Sequence, residues 1–261
     1  MDEVSTTALG VARVRAVESE REDRLFDDPW AAKFCAAAPD RVPGGERTPV
    51  SLAFAFHAII RTRFYDDYLR EAGCRQVVLL AAGLDSRAYR LDWPADTSLY
   101  EVDLPKVLAF KETVLADAEP RCRRTVVAAD LRDDWAKTLR DNGFRPEEPT
   151  AWLVEGLLIY LTAAEADSLL SAITTLSADG SRIAFERGDR PFQDQAVKSP
   201  SMQRYSSLWK GGLDRPASEW LTEHGWRPTE HPFGPVAEAY GRPTRTTATS
   251  GFVTASRGAS T

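Results

Sequence analysis

The sequence predicts an α/β chain built on a doubly wound parallel sheet. Three observations carry that expectation. Short apolar runs of strand length recur through the middle of the chain, amphipathic helical patterns separate them, and the spacing suits βαβ units. The 261 residues suffice for one domain with additions, or at most two small ones. A composition of 43% hydrophobic and 28% charged residues excludes a disordered tail or a collagenous repeat.

From the amino terminus, residues 5–40 have small and apolar residues every three or four positions, a helical period. Asp27 or Asp28 is placed to cap a helix whose first turn holds Pro29. Residues 41–49 (RVPGGERTP) form a break. A second amphipathic helix runs from about Leu52 to Glu71, with Phe56, Ile60, Phe64 and Leu69 near one stripe. From residue 76 the rhythm changes: QVVLLAAG is continuously apolar, as a strand buried on both faces must be. Similar runs are SLYEVD (98–103), RTVVAAD (124–130), AWLVEG (151–156) and SRIAFER (181–187). KVLAFKETVLADA, DDWAKTLRDNG and AAEADSLLSAITTLS supply the intervening helices. The last sixty or so residues read as a helix (ASEWLTEHG), a Pro-rich stretch and a late strand in TTATSGFVTASR. The expected division is residues 1–75, helices covering part of the substrate site, and residues 76–261, the core, with an insertion at about 190–215.

A doubly wound sheet binds its ligand outside the carboxyl ends of its strands. The first such end is Ala81-Ala82-Gly83-Leu84-Asp85. Gly83 allows a sharp turn and a close backbone approach, although many parallel strands end in a glycine turn. Asp103 closes the second run, where a carboxylate accepts both ribose hydroxyls of an adenosine cofactor or, alternatively, caps the helix behind Pro105. Asp130-Leu131 follows the third, suited to an adenine amino group and ring face, or again to capping. Glu155-Gly156 closes the fourth, and a glutamate there is costly unless paired or at the cleft. Together the four strand ends indicate an adenosine cofactor. A single glycine and the nearby Asp85 suit one without phosphate, S-adenosylmethionine, with S-adenosylhomocysteine as product.

The segments DRLFDDPWA, RTRFYDDYL, QVVLLAAGLDSRAYRL, EVDLP, AADLR and AWLVEGLLIYL resemble the leucine carboxyl methyltransferase-like group of S-adenosylmethionine-dependent methyltransferases, and within it a bacterial branch abundant in actinobacteria. The resemblance runs from about residue 6 to 226, and GLDSRAYRL is its specific part. It implies the class I methyltransferase (Rossmann-like) fold of seven strands, one antiparallel. It also implies ribose on Asp103, adenine on Asp130 and Leu131, the methionine part near Glu155, and the cofactor carboxylate on Arg61. Arg63 points elsewhere on the helix, toward Asp66 or Asp67. Ala81 stands where many members of the wider superfamily have glycine, and the loop lacks an acid at its head.

Methyl transfer chiefly needs alignment, and a weak nucleophile also needs a base. His57 and Tyr160 are the catalytic candidates, set against a satisfied core histidine and plain aromatic packing. Glu186 and Asp189 read as a solvated loop, and His224 and His231 as surface residues. Trp30, Phe34, Phe192, Tyr205 and Trp209 are candidates for lining a pocket for a small, flat or apolar acceptor, with core packing as the alternative. A specialised metabolite, aromatic or indole-like, is expected; a protein C-terminal carboxylate or an NAD(P)-dependent oxidoreductase are the alternatives. Against the oxidoreductase stand the missing GxGxxG and YxxxK. A net charge of −6 lacks the positive field for nucleic acid, and the RCRR cluster (121–124) reads as a solvated strand entry. No apolar run reaches the roughly 18 residues of a membrane span. Three scattered cysteines, no metal-ligand spacing and no secretory pattern in MDEVSTTALG point to a cytoplasmic protein without a metal. Oligomeric state is not legible in the sequence.

Overall fold

The computed structural model describes residues 3–42, 48–187, 206–244 and 250–258, with only the backbone at 3–6. Three helices open the chain: α1 (Glu3–Ser19), α2 (Pro29–Ala37) and α3 (Pro49–Glu71). Asp28 caps α2 by accepting the N–H groups of Trp30 and Ala31, with Pro29 in the first turn. At α3, Thr48 and Ser51 satisfy one another's backbone N–H groups in a capping box. The stretch 5–40 thus holds two helices, the second starting at Pro29 as expected, with Phe26 buried in the segment between them.

The sheet strands are β1 (Gln76–Leu80), β2 (Ser98–Asp103), β3 (Arg123–Ala128), β4 (Thr150–Val154), β5 (Arg182–Arg187), β6 (Trp226–Pro232) and β7 (Gly251–Arg257). Their order is β3-β2-β1-β4-β5-β7-β6, with β7 antiparallel to both neighbours. This is the seven-stranded arrangement that the resemblance implied. Helices α4 (Arg87–Arg90), α5 (Pro105–Val114), α6 (Trp135–Asp141), α7 (Ala163–Thr175), α8 (Ala217–Glu223) and α9 (Phe233–Ala239), with short 3-10 turns at Pro39–Arg41 and Leu158–Tyr160, complete the described elements.

Alternation along each strand divides the apolar residues between two cores. Val77, Leu79, Leu99 and Leu153 join α1, α3 and Phe252 on one face. Val78, Leu80, Val102, Trp152 and Val154 meet α6, α7 and α8 on the other. β6 lies inside the stretch expected to be Pro-rich and irregular. It pairs only with β7, at the sheet edge, where Pro228 and Pro232 need contribute no second ladder of hydrogen bonds. Most of the 190–215 insertion lies outside the described residues.

Parallel register brings the chemistry to one end. Leu80 pairs with Val102, so Asp103 lies beside the turn after β1. Val154 pairs with Phe185, which sets Glu155 and Glu186 side by side just beyond.

Candidate active site

A cavity of about 1200 Å³ opens at these strand ends. Ala81, Gly83, Asp103, Asp130, Leu131 and Glu155 line it from the sheet, and Arg61 and His57 from α3. Tyr160 and Trp209 also border it. Trp30 and Phe34 do not: Trp30 packs against Tyr89, and Phe34 is fully buried against Phe110. Phe192 and Tyr205 lie outside the described residues.

Asp103 is 9% exposed, and each of its oxygens accepts one backbone N–H, from Gly83 and from Leu104, both at 2.6 Å. It does not cap α5, whose first turn receives no side-chain hydrogen bond. Burial raises its carboxyl pKa, while the two N–H donors work the other way. A second lone pair on each oxygen suits the paired hydroxyls of a ribose. Asp130 is bound locally, accepting the backbone N–H of Arg132 at 3.0 Å and its guanidinium, which lowers the Asp130 pKa.

The opposite wall is an ion cluster. Arg61 donates from Nε to Glu155 at 2.8 Å and from Nη1 to Glu186 at 2.9 Å. Those bonds use two of the five N–H groups of the guanidinium, leaving others for a ligand carboxylate. Glu186 corrects the sequence expectation of a solvated loop. It lies within β5, lines the cavity and accepts the Gly156 N–H at 2.8 Å. Burial raises its pKa, the neighbouring Glu155 adds to that, and Arg61 opposes it. The signal that could have found it was its place inside the SRIAFER run, an acid directly after the apolar Ile183-Ala184-Phe185, as Glu155 directly follows Leu153-Val154. Arg63 instead pairs with Asp67 at 2.8 Å. Asp85 is also not a bare charge facing the cleft, because the Arg87 guanidinium and backbone N–H both bind it. In the RCRR cluster Arg121 and Arg123 are exposed, as expected of a solvated strand entry, and Arg124 alone departs from it, pairing inward with Glu101 at 2.7 Å.

Ala81 has a φ of 52°, the one non-glycine residue with positive φ among those described. The left-handed geometry accounts for the glycine common at this place elsewhere. His57 stacks on Phe233 with ring centroids 5.0 Å apart, and burial, then Arg61, pull its pKa down to about 3. The Tyr160 hydroxyl faces Trp209 and Thr7, and burial raises its pKa. His224 stacks on Trp220, and His231 meets the Thr254 hydroxyl at 2.9 Å.

Residues 8–174 match the family described as leucine carboxyl methyltransferase. A protein of Parafrankia sp. (strain EAN1pec), named as an S-adenosyl-L-methionine-dependent methyltransferase, is 51% identical over 254 residues, covering 92% of this chain and 82% of that protein. The chain belongs to the leucine carboxyl methyltransferase family. As a member it is an S-adenosylmethionine-dependent methyltransferase, and the nicotinamide alternative is set aside. Solved structures share the fold at low identity. A DUF574 family protein from Streptomyces avermitilis aligns with TM-score 0.60 and 16% identity, over 97% of this chain and 99% of its own. Magnesium protoporphyrin IX methyltransferase from Synechocystis, solved with bound S-adenosylhomocysteine, gives TM-score 0.52 and 13% identity over 87% and 93%.

Proposed function

We propose that this methyltransferase acts on a small organic acceptor, an aromatic or indole-like specialised metabolite, at oxygen, nitrogen or carbon. The supporting observation is the composition of the cavity beyond the acidic strand ends. Phe54, Phe56, His57, Tyr160, Trp209 and Phe233 border it there. Such walls suit a flat apolar molecule, because aromatic faces stack and exclude water.

The chain's own residues then divide the work. Asp103 holds the ribose, Leu131 covers the adenine ring beside Asp130, and Arg61 takes the cofactor carboxylate while Glu155 faces the methionine part. Gly83 and Ala81 bring the backbone up to the same molecule. Bound S-adenosylmethionine supplies an electrophilic methyl group on a cationic sulfur. The protein contributes alignment and a dry wall. Tyr160 and His57 border the acceptor end, where they orient the nucleophile. With its pKa near 3, His57 stays neutral there and acts by packing against Phe233 and Phe252.

We place the enzyme in the cytoplasm. Cys35, Cys74 and Cys122 are free thiols, and among the described residues no helix is long and apolar enough to cross a membrane. Among those residues, no group of side chains suits a metal ion. Incubating the protein with S-adenosylmethionine and a panel of phenols, indoles and peptides ending in a free carboxylate, then reading the mass of one added methyl group, tests the assignment. Methylation confined to the peptides would replace the small acceptor with a protein C-terminus.

A further inference from the structure

The most specific segment of the sequence, GLDSRAYRL, contains a residue that the cleft contacts leave without a task. Arg87 is 1% exposed and is not among the cavity-lining residues. Its guanidinium nonetheless joins three elements. Nε donates to Asp66 of α3 at 2.7 Å, Nη1 to Asp85 in the turn after β1, and Nη1 also to Glu155 after β4 at 2.8 Å. Nη2 completes the set by donating to the Thr62 carbonyl at 3.3 Å.

The geometry at Glu155 is what distinguishes this arginine. Arg61 holds one carboxylate oxygen, and Arg87 holds the other from the side away from the cavity. Two donors on opposite oxygens fix both the place and the plane of a carboxylate, which one donor would leave free to rotate. Arg90, on the same short helix, is an internal comparison. It binds both oxygens of Asp66 at 2.6 Å, yet its bonds do not reach Glu155. The two arginines thus share an anchor, and Arg87 alone carries it forward to the cleft. A buried charge of this kind is costly unless fully paired, and removing one partner exposes the others to that cost.

We propose that Arg87 is a positioning residue that fixes Glu155 for the methionine part of the cofactor. The proposal rests on Glu155 facing that part of the ligand. The titratable and charged groups around Glu155 are Arg61, His57 and Tyr65 from α3, Arg87 from α4, Asp85 from the turn after β1 and Glu186 from β5. His57, pulled down to about 3, and Tyr65, raised by burial, stay neutral between about pH 5 and about pH 8. Burial works to protonate Glu155, and Arg87 and then Arg61 overcome it.

The test is a double-mutant cycle read by calorimetric titration of the full chain with S-adenosylhomocysteine. Arg87→Lys keeps a cation but cannot bridge Asp66 and Glu155 together. It should weaken binding about tenfold, as should Glu155→Gln, and the double variant should be no weaker than Glu155→Gln alone. Arg90→Lys should stay within about threefold of the parent. The Arg87→Lys deficit should also deepen as pH falls from about 8 to about 5, because Glu155 then protonates more readily. A merely structural arginine would give additive losses, a deficit independent of pH, or an equal loss at Arg90, and any of these overturns the proposal. If Arg87→Lys does not fold by circular dichroism, Asp66→Asn, which cuts the shared anchor, replaces it in the same cycle. Parent-level binding by Glu155→Gln would show instead that the placement of Glu155 is wrong, and the proposal would fall with it.

Discussion

Asp103 accepts the backbone N–H of Gly83 at 2.6 Å, so the acid that ends β2 and the turn that ends β1 form one unit. Gly83 has a φ of 51° there, and its amide points at the carboxylate rather than along a strand ladder. Replacing Asp103 by Ala should therefore do two things. S-adenosylhomocysteine affinity should fall about 100-fold or more, the worth of two charge-assisted hydrogen bonds. Stability should fall by roughly 1–3 kcal/mol, because the Gly83 and Leu104 N–H groups lose their partner. Titration calorimetry on folded protein checks the first and urea unfolding the second, and parent-level affinity would refute the ribose assignment.

Acid should loosen the fold through Asp85. Burial opposes its ionisation, but Arg87 and then Lys111 bring its pKa from 3.8 down to about 2. A folded pKa below the unfolded one means that the contribution is complete above the unfolded value and disappears as pH falls through the folded one. The window is therefore about pH 4 to about pH 2, and the contribution is on the order of 2 kcal/mol. Asp66 and Glu155, also lowered, act in the same direction. Urea midpoints measured down this range should drop, and Asp85→Asn should flatten part of the slope.

Ala81 is expected to be better as glycine for stability. Its φ of 52° costs an L-residue about 1–2 kcal/mol, partly offset by the greater backbone freedom of an unfolded glycine. Ala81→Gly should raise Tm by about 1–3 °C, and Ala81→Val should lower it. Differential scanning calorimetry on the three proteins decides the sign.

His57 should not titrate in the physiological range. With its pKa pulled down to about 3 by burial and Arg61, its imidazole carbon resonances should stay unchanged between about pH 8 and about pH 5. His57→Phe, which preserves stacking on Phe233, should retain S-adenosylhomocysteine affinity within about twofold. A resonance that moves with a midpoint near pH 6.5 would return His57 to the role of general base.

The strand ends were legible because a parallel sheet buried on both faces demands unbroken apolar runs. Val77–Leu80 and Ala151–Val154 are such runs, and any acid closing one stands out. The edge strand β6 was not legible, because Arg227, Thr229 and Glu230 are polar and its two prolines read as a break. Glu186 was missed for a related reason: next to Arg187 and Gly188 it has the local texture of a turn.

Local chemistry alone determined the βαβ rhythm, a cap at the Asp27-Asp28 pair, and the acids Asp103 and Glu155 as strand terminators. Each depends on residues adjacent in the chain or on a period of two or 3.6. Tertiary structure alone decided that Arg61 lies between Glu155 and Glu186, 94 and 125 positions away, and that Arg87 turns its back on the cavity to hold Glu155. Ion pairs between distant segments depend on strand order and register, and short-range pattern contains no record of either.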